Sequence, residues 1–474
     1  MSVSPQKTGW LVLFALSAAW WTSCAVGPDY KCPAVPSSAT FRGDTVITNI
    51  SFADLAWWKV YSDAELQALV REAFTNNYDL RIAAARVEQS RQAAAQSRSQ
   101  FVPSVDYSGT VAHGRNDLFG SAYPDNAATA SSSVATLNAF WEVDLWGRVR
   151  RLNEAARANF LASEEARRGV RLSLLSDVAT AYLQLLELDQ EVEITSRTTN
   201  SFAESLKIFS QRAEGGTASA LETSRAEAAL ANAAAATPSL LSQITLTENR
   251  LSILLGRNPG PIERTSSSLE TMLPPEVPAG LPASLLERRP DVRGAEQNLR
   301  AANALIGESV AEFFPKIGLT ALLGKISPEL SAFTLGGANA WGVAAEGTGP
   351  IFEGGRRLAR YREAKAARDE ARLRFQQIAQ SALADVSDAL VLRQRLGEIV
   401  QQQMREVSAL ETAVRVSSER YRAGKASYYE VLEAQQQLFP AQINLARTQR
   451  DQQLAVVSLY KALGGGWNDG TLKH

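Results

Sequence analysis

The sequence is short of the residues that carry chemistry. In 474 residues it has two cysteines, Cys24 and Cys32, and two histidines, His113 and His474. Two cysteines cannot build a disulfide framework. His113 falls in an expected loop and His474 is the final residue. No metal-ligand spacing, phosphate-cradling glycine loop or nucleophile elbow occurs. The carboxylates are scattered along helical stretches, the pattern of a solvated face. We therefore expect no catalytic residue, no metal and no cofactor. Charge of one sign is missing as well. With 49 basic against 50 acidic side chains, nucleic-acid binding has no electrostatic support. Near the start, the apolar run from Trp10 to Trp21 covers about 12 residues, too few to span a bilayer.

What is present is long helical pattern, and it is present twice. From Arg356 the chain runs about 65 residues without a proline. Phe375, Ile378, Ala382, Val386, Ala389, Arg393, Leu396 and Val400 step by threes and fours, the seam of a helix packed along its length. The chain turns at Tyr421-Arg422-Ala423-Gly424 and returns for about 40 residues. Residues 208 positions earlier match: Gly147 with Gly355, Arg148 with Arg356, Asp177-Val178 with Asp385-Val386, Arg212 with Arg420, Gly216 with Gly424, and Glu222 with Glu430. An opening helix recurs at 212, Asp79 with Asp291 and Pro103 with Pro315. An internal duplication is the main organisational fact. The change of offset places a length difference between Pro103 and Gly147.

In that interval helical period gives way to alternation. Val105, Tyr107, Gly109 and Val111 share one face, and Ala135, Leu137, Ala139, Trp141 and Val143 another. Ile317, Leu319, Ala321 and Leu323, then Trp341, Val343 and Ala345, repeat the pattern. Runs of about 9–10 residues with aromatics at their ends suit tilted bilayer-crossing strands. A pair of soluble hairpins is the alternative. Four strands cannot close a barrel in lipid, so spanning strands require oligomerisation: two copies give eight strands, three give twelve.

The N-terminus reads as a targeting segment. Lys7 precedes the apolar core, and Trp21-Thr22-Ser23-Cys24 resembles a lipoprotein processing site, with Trp21 where Leu is usual. Lipid on Cys24 is one reading; cleavage after Ser17-Ala18-Ala19 is the other. The expected organisation is a signal peptide over 1–23, an extended linker over 24–56 and a first repeat over 57–256 with strands at 104–111 and 133–143. A proline-rich linker over 257–283, a second repeat over 284–464 with strands at 316–324 and 340–348, and a tail over 465–474 complete it. The fold class is mostly α with a small β part.

Several stretches together resemble the TolC-like outer-membrane efflux family, in its OprM/NodT-type lipoprotein branch. They are Cys24-Ala25-Val26-Gly27-Pro28-Asp29-Tyr30, Trp57-Trp58, Leu254-Leu255-Gly256-Arg257, Glu287-Arg288-Arg289-Pro290-Asp291-Val292-Arg293, Phe313-Phe314-Pro315 and Pro350-Ile351-Phe352-Glu353-Gly354-Gly355-Arg356-Arg357. The resemblance implies a homotrimer with one twelve-stranded barrel in the outer membrane and a twelve-helix tube in the periplasm. It implies an exit duct for small molecules, joined through a periplasmic adaptor to an inner-membrane pump of the RND type. A duct for a type I protein-secretion exporter and a lipid-anchored scaffold without a pore are the alternatives. The resemblance also places a closed tip at the turns of Gly216 and Gly424. There it implies acidic rings at Glu430 and Glu433 and a contact of Tyr421 with Glu222. Arg422 or Lys425 would supply a basic partner where Ala426 replaces one. Solvated first-turn carboxylates are the plainer reading of these acids.

Overall fold

The computed structural model describes residues 25–35, 41, 63–115, 129–216, 219–264, 287–327 and 338–465. The expected signal segment over 1–23, Cys24, Trp57-Trp58, the expected linker from 265 onward, residues 284–286, the tail from 466 and His474 lie outside the described residues. In chain order come α1 (Ala64–Asn76), α2 (Tyr78–Ser99), β1 (Ser104–Arg115), β2 (Thr129–Val143), α3 (Arg148–Glu214) and α4 (Ala220–Leu254). They are followed by α5 (Pro290–Ala311), β3 (Lys316–Ser327), β4 (Asn339–Thr348), α6 (Arg356–Arg422) and α7 (Tyr428–Ala462).

The duplication is visible end for end. Helices α3 and α4 recur 208 residues later as α6 and α7, with both boundaries of each shifted equally. Likewise α2 and β1 recur 212 residues later as α5 and β3. The length difference therefore lies between Arg115 and Arg148. At 67 residues each, α3 and α6 are about 100 Å long at 1.5 Å per residue. The returning helices, expected to run about 40 residues, are 35 residues long in α4 and α7. The opening segment consists of two helices of 13 and 22 residues.

Asn77 makes the split. Its backbone N–H donates to Ala73 O at 2.9 Å and closes α1. Its Oδ1 accepts from the Leu80 amide at 3.0 Å and opens α2, as an N-cap does. The remaining Nδ2 donates to Leu254 O at 2.9 Å, holding the junction on the end of α4.

The four strands form one antiparallel sheet in the order β1-β2-β3-β4. Pairing of β2 with β3, as in Thr136↔Gly324 and Phe140↔Thr320, joins the two repeats directly. All four strands depart from the expected bounds or extend past them. Ala112–Arg115 pair with Thr129–Ser132, although their side chains carry no apolar alternation. Ladder hydrogen bonds belong to the backbone and do not need it. His113 is thus a strand residue, not a loop residue, with Nδ1 2.7 Å from Ser131 Oγ.

One face of the sheet is apolar and open: Tyr107 is 87% exposed, Trp341 78% and Val343 76%. On the other, Ser108 Oγ meets Thr136 Oγ1 at 2.8 Å and Asn138 Nδ2 donates to Ser108 Oγ at 3.1 Å. An exposed apolar face of this size marks an interaction with lipid or protein. The edges β1 and β4 have no strand partner among the described residues.

The chain divides into two compact units. The first holds Arg86–Glu164, Gly294–Phe375 and the described residues up to Ala34. In it Ala155 and Ala158 pack on Ala301 and Ala304, so that small side chains let α3 and α5 approach closely. Trp146 stacks on Phe314 at 4.6 Å and donates to Pro315 O at 2.8 Å. The second unit holds Glu165–Arg293, Gln376 onward and the described residues between Val35 and Ala85. In α6 the expected seam is buried at Ala382, Val386, Ala389, Leu396 and Val400.

Candidate functional site at the helix turns

Both long helices end at a glycine. Gly216 has φ +71 and Gly424 φ +69, the left-handed conformation that glycine adopts without steric cost. At the second turn the Gly424 amide donates to Tyr421 O at 2.9 Å and the Lys425 amide to Arg420 O at 2.8 Å. These two bonds form a Schellman motif and satisfy the last carbonyls of α6.

The turns rest on an apolar cluster drawn from both repeats. Phe202 and Phe209 of α3, Ala226, Ala229 and Ala233 of α4, and Tyr428, Val431 and Leu432 of α7 are buried together. Burying each large member contributes about 1.5–3 kcal/mol. Tyr421 packs at its margin, with ring centroids 5.7 Å from Phe209 and 6.0 Å from Tyr428. Phe209 and Tyr428 are closer, at 3.8 Å. The aromatic stack depends on how the copies differ. The position equivalent to Phe209 is Ser417, and those equivalent to Tyr421 and Tyr428 are Ala213 and Ala220. Each repeat supplies what the other lacks.

Polar contacts follow the same asymmetry. Arg212 Nη1 donates to Tyr421 Oη at 2.5 Å, and its guanidinium lies 4.7 Å from that ring centre. This contact ties the α3–α4 hairpin to the α6–α7 hairpin. Its equivalent, Arg420, stays in its own hairpin and pairs with Glu430 at 3.4 Å. Burial pushes the Tyr421 phenol up, the Glu222 charge adds to this, and Arg212 opposes it. Burial also pushes Tyr428 up to about 12.

Within one chain the Tyr421 hydroxyl accepts from Arg212, while Glu222 Oε2 accepts from the Ser219 amide at 2.8 Å as the N3 half of the α4 capping box. Glu430 pairs with Arg420, and Arg422 and Lys425 stand exposed at the turn. One expectation is corrected here: carboxylates on the helices are not all solvated. Glu187 and Glu191 of α3 are each 2% exposed. Arg447 Nε donates to Glu191 at 2.5 Å, and Arg450 Nη1 to Glu187 at 3.2 Å. Burial, then Glu191, pushes the Glu187 carboxyl up to about 7, while Arg450 and Arg447 pull it back. Glu430 and Glu433 remain exposed on α7, and Glu433 accepts from Gln437 at 3.5 Å.

The model of the outer membrane efflux protein family matches residues 69–257 and 281–465. The chain belongs to this family. It is 34% identical over 472 residues to the toluene efflux pump outer membrane protein TtgC of Pseudomonas putida, covering 97% of this chain and 96% of that one. It is 31% identical over 452 residues to the cation efflux system protein CusC of Escherichia coli, covering 94% and 96%. The crystal structure of the open state of the Neisseria gonorrhoeae MtrE outer membrane channel superposes with a TM-score of 0.85 at 29% identity, covering 94% of this chain and 98% of that one. The chain is accordingly an outer-membrane efflux channel protein and not an enzyme. Outer membrane efflux factors are trimers that work with an adaptor and an inner-membrane pump.

Proposed function

We propose that three copies of this chain form one channel that exports small toxic compounds from a periplasmic adaptor and an RND-type inner-membrane pump. The observation that carries the reading is the four-stranded sheet with an open apolar face and two open edges. Backbone groups at such edges cannot stay unpaired in lipid, and β1 of one copy pairing with β4 of the next removes them. Three copies give twelve strands. The helices extend into the periplasm, where the turns at Gly216 and Gly424 hold the gate. Arg212–Tyr421 and Arg420–Glu430 restrain it, and Glu430 and Glu433 form acidic rings that favour cations. Cys24 is the mature N-terminus and carries diacylglycerol, so that lipid and barrel both hold the protein in the outer membrane. Boundaries at 57–256 and 284–464 mark the two repeats.

Two measurements test this. The detergent-solubilised protein should have the mass of three chains. Expression in cells lacking their own efflux channel should lower accumulation of a fluorescent cationic dye. A monomer, or a trimer that leaves dye accumulation unchanged with adaptor and pump present, would contradict the reading. A duct for protein secretion is not favoured, since TtgC and CusC are named as efflux components.

A further inference from the structure

The chain beyond Cys24 is held along one helix in a fixed direction. Tyr30 donates to Glu296 at 3.2 Å and lies under Arg300, Asn303 Nδ2 donates to Pro28 O at 2.9 Å, and Gly27 meets Gly307. These helix positions are spaced by three or four and so share a face of α5. Stepping back from Tyr30 to Gly27, the contacts advance along α5 toward the end that leads into β3. A Cβ on Gly27 would sit 2.4 Å from Gly307 Cα, so no larger residue fits. Buried Arg151 reinforces the track, donating to Asp29 Oδ1 at 3.0 Å, Gly27 O at 3.4 Å and Val26 O at 3.3 Å. Val26 N–H donates to Trp146 O at 3.1 Å, and Ala25 touches Gly147. Trp146 in turn is bonded to Pro315 O, one residue before β3. Cys24 is one peptide unit, about 3.8 Å, from Ala25.

A groove of about 450 Å³ lies in the sheet nearby. Two neighbouring rows of the register line it: Trp141, Leu319 and Ala345, then Ala139, Ala321 and Val343. Both rows belong to the open apolar face. The three alanines leave a notch beside the neighbouring row of Tyr107, Leu137, Leu323 and Trp341. From Pro315 to Leu319 is four strand residues, about 13 Å. A lipid chain reaches about 15 Å, half of a hydrocarbon core of roughly 30 Å. We propose that this groove seats one acyl chain of the lipid on Cys24 of the same copy. The inference rests on the lipidation reading above. It makes the lipid part of the barrel wall, placed by the strap on α5.

The test uses the full-length trimer from cells fed a diazirine-bearing palmitate, irradiated and then digested. The expected product joins the peptide Cys24–Lys31, through its acyl chain, to peptides bearing Trp141, Leu319 or Val343. Its yield should exceed that at Tyr107 and Val111, on the same face, by about fivefold, the population ratio of roughly 1 kcal/mol. Ala321→Phe fills the notch and should reduce the product to a similar degree in trimers that still assemble. A lipidated N-terminus joined only to phospholipid, or evenly to Tyr107, Val111 and Leu137, overturns the groove and leaves lipidation standing. Groove residues joined only to phospholipid chains overturn it as well. An N-terminal peptide without lipid overturns both readings.

Discussion

The contact between Arg212 and Tyr421 offers the sharpest perturbation. The hydrogen bond spans 209 residues of sequence and joins the two hairpins at their turns. A bond to a charged group contributes about 1.5–3 kcal/mol when shielded, and less here because the pair is exposed. Stacking of the guanidinium on the ring adds about 0.5–1 kcal/mol at such a site. A net of about 1–2 kcal/mol per chain is reasonable. If three chains open together, the sum of about 3–6 kcal/mol changes the open-to-closed ratio by roughly 10²–10⁴-fold. Arg212→Ala should therefore raise the open time of the isolated channel in a planar bilayer. Tyr421→Phe should do so less, because the ring keeps its place beside Phe209 and Tyr428. The two changes together should be non-additive by about 1 kcal/mol per chain, as for groups in contact. Additive effects, or gating unchanged in Arg212→Ala, would refute the latch.

Glu430→Gln combined with Glu433→Gln should lower the cation preference of the open channel, measured by reversal potential in a salt gradient. Glu222→Ala should remove the N3 half of the α4 capping box at about 0.5–1 kcal/mol, lowering the melting temperature of the trimer with little effect on conductance. Glu187 sets a pH dependence: its carboxyl is raised from 4.5 to about 7 by burial and Glu191. The folded state then binds that proton more tightly than the unfolded state does. Stability should fall as pH rises from about 4.5 through about 7, by on the order of 1–3 kcal/mol per chain. Glu187→Gln should flatten that slope in thermal melts, and a slope unchanged in the variant would assign it to other groups.

The helices and their pairing were legible because a proline-free helical pattern of about 65 residues occurs twice, with an apolar seam from Phe375 to Val400 in the second copy. The strands were legible where Tyr107 or Trp341 alternates with small residues. They were missed at Ala112–Arg115, where the backbone ladder continues without any apolar alternation in the side chains. At the tip, Gly216 and Gly424 stood out by position and Tyr421 and Glu430 by the family resemblance, but the arginines that Tyr421 and Glu430 meet did not. Arg212 and Arg420 are equivalent in sequence and differ in use because Tyr421 has Ala213 as its counterpart. Glu187 and Glu191 fall among the helical carboxylates whose pattern is that of a solvated face. Their burial follows from Arg447 and Arg450, more than 250 residues away in the chain, which no local pattern reveals.

Single-channel recording of the purified protein in a planar bilayer tests the central claim most directly. A trimeric channel restrained at its helix turns should give discrete current steps, rare and brief in the native protein and of longer open time in Arg212→Ala. Protein that has the mass of three chains, inserts into the bilayer and yet passes no current in either form would contradict the account.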